Sequence, residues 1–366
     1  MVCVVADDIT GAAEMAGIAH RLGLSVSLSL DWIITDDCDV AVIATDTRSM
    51  TESEAIAALR KGLSKVKDDR RIRAFFKKTD SALRGNVVAE LSVMINMLDL
   101  NGALYLPANP SKGRIIKDGC YLIDGMPIDK TPFSFDPEFP AFSARLTERF
   151  PNADTCAISF QDVCTSTDLD DGVESAMSKR LLLAGAADLF TSFLKKYFNP
   201  RTEKISIPYE VGKGSCIVVC GSTQSDPTRC GIKPSYMPTE VYDGIVLSDA
   251  WAATLAQRYA EPPHRVLIAV KDHHRTGREV AVHLRQTMAL VVKNLVGMRS
   301  PDHLIIEGGA TAFAILSALG WDSFEIQNEI APGVISMKLR DGNTKVSMKP
   351  GSYPWGGMFA YLAEID

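Results

Sequence analysis

The chain has 366 residues, 46% of them apolar and 23% charged, with a formal charge of −6. That length suggests about two domains, and the composition excludes general disorder, because there is enough apolar surface to bury large cores. The acidic balance argues against a broad nucleic-acid surface, and no apolar run approaches the ~20 residues of a membrane-spanning helix. Met1 to Asp8 lacks the basic start and long apolar stretch of an export signal, so a cytoplasmic protein without nucleic-acid or membrane partners is expected.

Val2 to Ala6 reads as a strand, followed by an Ala-rich helix over Ala12–Leu22 that Thr10 and Gly11 open and Gly23 stops. Ser25–Leu30 and Val40–Ala44 follow as strands. Thr51 with Glu54 has capping-box spacing and starts a helix running to about Val66. Arg73–Lys77 reads as a strand, Val87–Leu98 as a helix and Gly102–Leu106 as a strand. Strands alternating with helices of this length indicate a parallel sheet with crossover helices. Residues 107–142 carry six prolines and read as a long functional loop or lid. Within it, Cys120–Ile123 followed by Asp124-Gly125 signals a hairpin. Residues 143–198 return to α/β character, ending in a helix over Ala186–Tyr197, and Asn199–Gly214 is the linker candidate. Cys216–Cys220 then starts a second series, with a strand at Arg265–Val270, a helix at Val280–Leu295, a strand at His303–Ile306 and a helix at Thr311–Leu319. The eight cysteines form no CxxC pair and read as reduced, buried thiols, with Cys216 and Cys220 on one strand face.

Three loops concentrate reactive side chains at expected strand ends, where open α/β sheets bind ligands. Asp7 and Asp8 follow the first strand; such a pair can hold a hydroxyl, act as a base or bind hydrated Mg²⁺, or simply complement a helix dipole. Thr45-Asp46-Thr47-Arg48 follows another strand, and its arginine can grip a carboxylate bidentately or sit on the surface. Lys77 to Asn86 supplies cations, an acid, hydroxyls and a glycine in ten residues, which suits an anionic, polyhydroxylated ligand. In the second half, Cys220-Gly221-Ser222-Thr223 and Glu307-Gly308-Gly309-Ala310-Thr311 are Gly-containing strand-to-helix turns whose N–H groups can cradle phosphates. Ile330-Ala331-Pro332-Gly333-Val334 and Lys349 to Gly357 read as further Gly-rich loops, and Asp272-His273-His274 as a surface turn. Neither GxxxxGK[ST] nor GxGxxG occurs at these turns, and Ala6-Asp7-Asp8-Ile9-Thr10-Gly11 stands after the first strand where a dinucleotide-dependent oxidoreductase would carry GxGxxG.

Taken in order, Val4 to Glu14, the Thr47-Arg48 pair, Lys77 to Asn86, Leu106 to Gly125, Val218 to Ser222, Ile306 to Ala312, Glu329 to Val334 and the terminal Lys349-Pro350-Gly351 with Gly356-Gly357 resemble the four-carbon acid sugar kinase family. The resemblance implies two α/β domains with mainly parallel sheets and an interdomain active-site cleft. Residues 1–205 would bind the acid sugar and residues 206–366 the nucleotide. It implies an ATP-dependent kinase that converts a threonate- or erythronate-like acid to its 4-phosphate, with ATP and Mg²⁺ as cofactors and the metal held mainly through water and phosphate. The alternative is a non-catalytic sugar-acid sensor derived from the same fold. By the resemblance, Asp7, Asp8, Arg48, Lys78, Thr79, Asp80, Ser81, Arg84 and Asn86 would bind the acid, with the proton acceptor among Asp7, Asp8 and Asp80. Ser222, Gly308, Gly309, Ala310, Thr311, Gly351 and Gly356 would bind ATP. No metal ligand is assigned, and a homo-oligomer is compatible with the sequence. Pro350 departs from the family pattern by removing a backbone N–H from the terminal loop.

Overall fold

The computed structural model describes residues 1–34, 37–136, 138–200, 212, 214–222, 226–271, 274–275, 277–351, 353–355 and 358–359. The chain divides into two compact units, residues 1–204 and 205–366.

The first unit begins β1 (Val2–Ala6), α1 (Ile9–Arg21), β2 (Val26–Ser29), β3 (Val40–Ala44), α2 (Glu52–Val66), β4 (Ala74–Lys78), α3 (Val87–Met97) and β5 (Ala103–Leu106). It continues with β6 (Arg114–Lys117), β7 (Cys120–Ile123), β8 (Met126–Pro127), α4 (Leu146–Arg149), β9 (Ile158–Ser159), α5 (Ser166–Ser178), β10 (Leu182–Gly185) and α6 (Ala187–Phe198). Its main sheet has the order β2-β3-β1-β4-β10-β5-β9 and is parallel throughout. The central strands are covered on both faces, so they are continuous apolar runs rather than alternating ones. Phe76 of β4 packs against Phe190 and Phe193 of α6, with ring centroids 4.8 and 5.9 Å apart. Burying each such ring contributes about 1.5–3 kcal/mol. Thr51 and Glu54 form the capping box expected of α2.

The register decides where the chemistry goes. Ala6 lies opposite Ala44 on one side and Lys78 on the other, and Gly185 lies opposite Lys78. The carboxyl ends of β3, β1, β4 and β10 are therefore level. The chain leaves β1 for β2 and β3 on one side and β4 on the other, which makes this edge the topological switch point.

Residues 107–142 are more regular than their prolines suggest. β6, β7 and β8 form a small antiparallel sheet. Its two turns are Asp118-Gly119 and Asp124-Gly125, with all four φ angles between 51° and 79°, as a primed hairpin turn demands. The Tyr121 hydroxyl anchors it by donating to Ser81 O at 2.7 Å and Pro107 O at 3.2 Å.

The second unit contains β11 (Cys216–Cys220), β12 (Pro234–Tyr236), α7 (Thr239–Tyr242), α8 (Asp249–Ala260), β13 (Arg265–Ala269), α9 (Arg278–Met298), β14 (His303–Glu307), α10 (Gly309–Leu319), β15 (Ser323–Ala331), β16 (Val334–Leu339) and β17 (Lys345–Lys349). The sheet order is β12-β13-β11-β14-β17-β16-β15, parallel from β12 to β17 and antiparallel beyond. Ile330-Ala331-Pro332-Gly333-Val334 is thus the tight turn of a hairpin, with Gly333 at φ 76°, and not a free loop. Cys220 lies opposite Glu307, and Glu307 opposite Lys349, so this unit also presents three level strand ends.

Cys3, Cys216, Cys220 and Cys230 are buried thiols, and Cys216 and Cys220 share one core cluster. The other cysteines depart from the buried reading. Cys38, Cys120 and Cys156 are partly exposed, and Cys164 is exposed in the turn entering α5, where its N–H donates to Asp168. No described helix is long and apolar enough to cross a membrane. Most of the linker candidate, residues 201–211 and 213, lies outside the described residues, as do Thr223, Asp272, His273 and Gly356-Gly357. His274 is described and places Nε2 2.8 Å from Asp243 Oδ1.

Candidate active site

At the switch point of the first unit, Arg48 is the hub. Its Nε and Nη2 donate to Asp7 Oδ2 and Oδ1 at 2.9 and 3.0 Å, the parallel two-bond geometry that a planar guanidinium favours. Nη1 donates to Asp8 Oδ2 at 2.9 Å, and Nη2 lies 2.8 Å from Asp8 Oδ1. Asp80 Oδ1 is 3.8 Å from Nη1. These residues meet because the strand ends carrying them are adjacent and level. Asp8 also caps α1, accepting from Gly11 N at 2.8 Å and from Thr10 Oγ1 at 2.5 Å.

The second layer of charge comes from β4 and the loop after it. Arg84 binds Asp80 through Nε and Nη2 at 2.7 and 3.0 Å and reaches Asp136 at 3.4 Å. Lys78 Nζ lies 3.6 Å from Glu14 and donates to Thr79 O at 2.8 Å. Lys112 Nζ pairs with the other Glu14 oxygen at 2.9 Å. Lys77, on the opposite face of β4, is fully buried 2.6 Å from Glu90. Ser81 accepts a hydrogen bond from Arg114 Nη1 at its hydroxyl.

The charge states follow from these contacts. Burial acts to raise the Asp8 carboxyl, but Arg48 and Lys78 outweigh it and hold it below the usual carboxylate range. Asp80 is also held down: burial opposes the shift, while Arg48 and Arg84 drive it. Glu14 is held down against burial by Lys78 and Lys112. Burial works against the Arg48 cation, but Asp7 and Asp8 more than offset it and push its pKa well above the ordinary value. The cluster therefore alternates carboxylates with cations, and the pairing favours the charged forms of Asp8, Asp80, Glu14 and Arg48.

Two residues expected in the site also make structural contacts. Asn86 ties loops together, donating to Thr47 O at 3.3 Å and Met50 O at 3.0 Å. Thr79 uses its N–H on Gly185 O at 3.0 Å, while its buried hydroxyl has no hydrogen-bond partner within bonding geometry among the described residues. Glu14, Lys112, Arg114 and Asp136 were not predicted. The two hairpin turns around β7 were the signal for an ordered insert, but nothing local placed its side chains at the first strand ends. A cavity of about 680 Å³ in this unit is lined by Asn86, Phe142 and Arg149, among others. Asp7, Asp8, Arg48 and Asp80 do not line it, so the charged cluster and that cavity are separate features.

In the second unit, Gly221-Ser222, Gly308-Gly309 and Pro350-Gly351 follow level strand ends. They are packed closely: a Cβ on Gly221 would collide with the Thr311 side chain, and one on Gly351 with the Ser222 hydroxyl. The first N–H groups of α10, at Gly309, Ala310 and Thr311, have no carbonyl within the helix to bind, and such groups favour anions. Ala310 is exposed, and Thr311 is buried against Gly221. Lys349, 2.8 Å from the buried Glu307, donates to Pro350 O at 3.2 Å and Gly351 O at 3.1 Å. The carbonyl of Pro350 thus helps to hold the loop whose N–H count its ring reduces.

A sugar-binding N-terminal domain family matches residues 2–189, and a nucleotide-binding C-terminal domain family matches residues 248–353. The chain belongs to the four-carbon acid sugar kinase family of ATP-dependent phosphotransferases. It is 24% identical to a D-threonate kinase of Salmonella typhimurium LT2, over 90% of this chain and 89% of that one. It is 26% identical to a D-erythronate kinase of Heliobacterium modesticaldum, over 90% and 88%. With a 3-oxo-tetronate kinase of Brucella melitensis it shares 24% identity over 93% and 92%. The Haemophilus influenzae protein HI1011 has the same fold, with a TM-score of 0.74 at 18% identity over 99% of both chains. So does a Salmonella typhimurium LT2 protein described as a putative tRNA synthase, with a TM-score of 0.79 at 18% identity over 100% of this chain and 98% of that one.

Proposed function

We propose that the chain transfers the γ-phosphoryl of ATP to the terminal hydroxyl of a threonate- or erythronate-like four-carbon acid, giving the 4-phosphate. The observation that carries this is the convergence of Asp7, Asp8, Arg48, Lys78 and Asp80 at one switch point. Ionised carboxylates accept hydrogen bonds from the acid's hydroxyls, and the cations between them offset the charge it brings. The names of the relatives, kinases of D-threonate, D-erythronate and 3-oxo-tetronate, support the substrate class.

In this reading residues 1–205 hold the acceptor and residues 206–366 the nucleotide, whose phosphates take Ser222, the N–H groups of Gly309 to Thr311, and Gly351. Positioning and charge neutralisation dominate, because phosphoryl transfer asks for little covalent chemistry from the protein. Asp8 and Asp80, held below their ordinary range, are weak bases. They orient the hydroxyl; attack on phosphorus, with ADP leaving, leads proton loss, and one of Asp7, Asp8 and Asp80 then takes the now acidic proton. Magnesium, expected with ATP, finds no protein cage: among the described residues no three His, Cys, Asp or Glu side chains cluster to hold a metal. No step is assigned to a protein-held ion. The same reading places the enzyme in the cytoplasm, where ATP is supplied.

ADP release measured over a panel of four-carbon acids tests this. Acid-dependent ADP production is the expected result. Saturable acid binding without ADP release would instead establish the sensor reading, in which Pro350 marks a terminal loop that no longer handles ATP.

A further inference from the structure

The proposed reading leaves the substrate carboxylate without a partner. Most cations of the acid site are already neutralised. Arg48 faces Asp7, Asp8 and Asp80. Arg84 faces Asp80 and Asp136. Lys78 and Lys112 share Glu14, and Lys77 is buried against Glu90. A carboxylate arriving at Arg48 would meet three like charges already in place.

Arg114 differs from all of these. It opens β6 in the small antiparallel sheet and is partly exposed. Its Nη1 donates to the Ser81 hydroxyl, and its guanidinium lies 5.7 Å from the centroid of the Phe133 ring. It forms no ion pair with any described residue. A guanidinium carries five N–H donors in a rigid fork, so the Ser81 contact leaves most of that fork for a ligand. Its position is also fixed from below: Tyr121, from the next strand, holds Ser81 O and Pro107 O. The cation is thus mounted on a braced strand and has no carboxylate partner among the described residues.

We propose that Arg114 binds the carboxylate of the acid substrate through two parallel N–H···O bonds. This rests on the acid kinase reading and deepens it. Repulsion from Asp7 and Asp8 keeps the carboxylate away from their end of the site, while those same groups accept hydrogen bonds from hydroxyls. The acid is therefore oriented, carboxylate at Arg114 and its far end at the aspartates. The far end of a four-carbon acid is its terminal hydroxyl, which accounts for the site of phosphorylation.

The test compares a four-carbon polyhydroxy acid with its neutral primary amide on the full chain. Wild type should favour the acid by about 10²-fold in kcat/KM, the scale expected for charge-assisted paired bonds. Arg114→Met should raise the KM for the acid by about 10²-fold, leave the KM for ATP unchanged and shrink the acid-over-amide preference to about threefold. A preserved preference in Arg114→Met overturns the proposal. Should Arg114→Met lose its cooperative thermal transition, Arg114→Lys is read instead, since it keeps the charge and loses the fork. A drop of about tenfold in the preference then supports the proposal, and an unchanged preference overturns it. If wild type releases no ADP with any acid, the kinase reading falls on its own. Calorimetric binding of acid against amide to wild type and Arg114→Met then decides the role of Arg114 by the same ratio.

Discussion

At the carboxyl edge of the first sheet the strand ends carry Asp7, Asp8, Arg48, Lys78 and Asp80, charged side chains in which Arg48 pairs with the three aspartates and Lys78 with Glu14. At the corresponding edge of the second sheet they carry Gly221, Ser222, Gly308, Gly309 and Gly351, where backbone comes close to backbone and to small hydroxyl side chains. Both edges arise from parallel strands in level register, so the topology is shared and the side chains differ. Side-chain charge suits a small acid that must be oriented by its hydroxyls and its carboxylate. Backbone N–H groups suit phosphates, which need many donors at close range and little discrimination. The first edge therefore gains precision at the cost of burying charges that depend on each other; the second gains closeness at the cost of tolerating almost no added atoms.

The largest effect should come from Arg48→Ala. It removes the common partner of three carboxylates, so we expect a loss of about 10²–10³-fold in kcat and about 3–5 kcal/mol of stability in urea unfolding. Near-normal turnover in this variant would break the contrast from the acid side. Gly351→Ala acts on the other edge, where the new methyl group meets the Ser222 side chain. Displacing that loop should raise the KM for ATP by about tenfold, a cost of about 1.4 kcal/mol within the range for overpacking, and leave the KM for the acid unchanged. An effect on the acid KM alone would break the contrast from the nucleotide side.

A further effect is graded by pH. Burial, helped by Lys345, pulls the His303 imidazole down to about 3. The unfolded chain, whose histidine titrates near ~6.5, then binds the proton more readily than the folded one. Stability is full above that pH and falls as pH drops from about 6.5 towards 3, by about 1.4 kcal/mol per unit. Asp8 and Asp80 are held down in the folded state, so their contribution is present above ~3.9 and is lost only below it, as the pH falls towards their folded values. Urea unfolding at pH 7, 5.5 and 4.5 should therefore show the decline in wild type and a flatter profile in His303→Gln. Equal slopes would remove His303 as its source.

Much of this was legible in the sequence because it is local. Val40–Ala44 and Cys216–Cys220 are strands at the expected residues, and the Thr51–Glu54 capping box starts α2. The three loops of the charged cluster were legible as strand-end loops, and a parallel sheet brings such loops to one edge. What was missed is non-local or periodically ambiguous. Glu14 and Lys112 are paired across 98 positions of sequence, and Arg114 meets Ser81 across 33. The helix Asp249–Ala260 and the strands β15 to β17 went unread, and only the residues around Pro332-Gly333 and Lys349-Pro350-Gly351 were read, as Gly-rich loops. Glycine and proline there mark tight turns and strand ends, and not the absence of strands.

The central claim is that the ion-paired edge presents the far hydroxyl of a four-carbon acid to a phosphoryl donor. Proton-coupled phosphorus NMR of the product formed from ATP and such an acid tests it most directly. The account predicts one new phosphoester whose phosphorus couples to the two protons of the terminal carbon. A phosphoester coupled to a single proton, at an inner carbon, or no phosphoester with any acid of the panel, would contradict it.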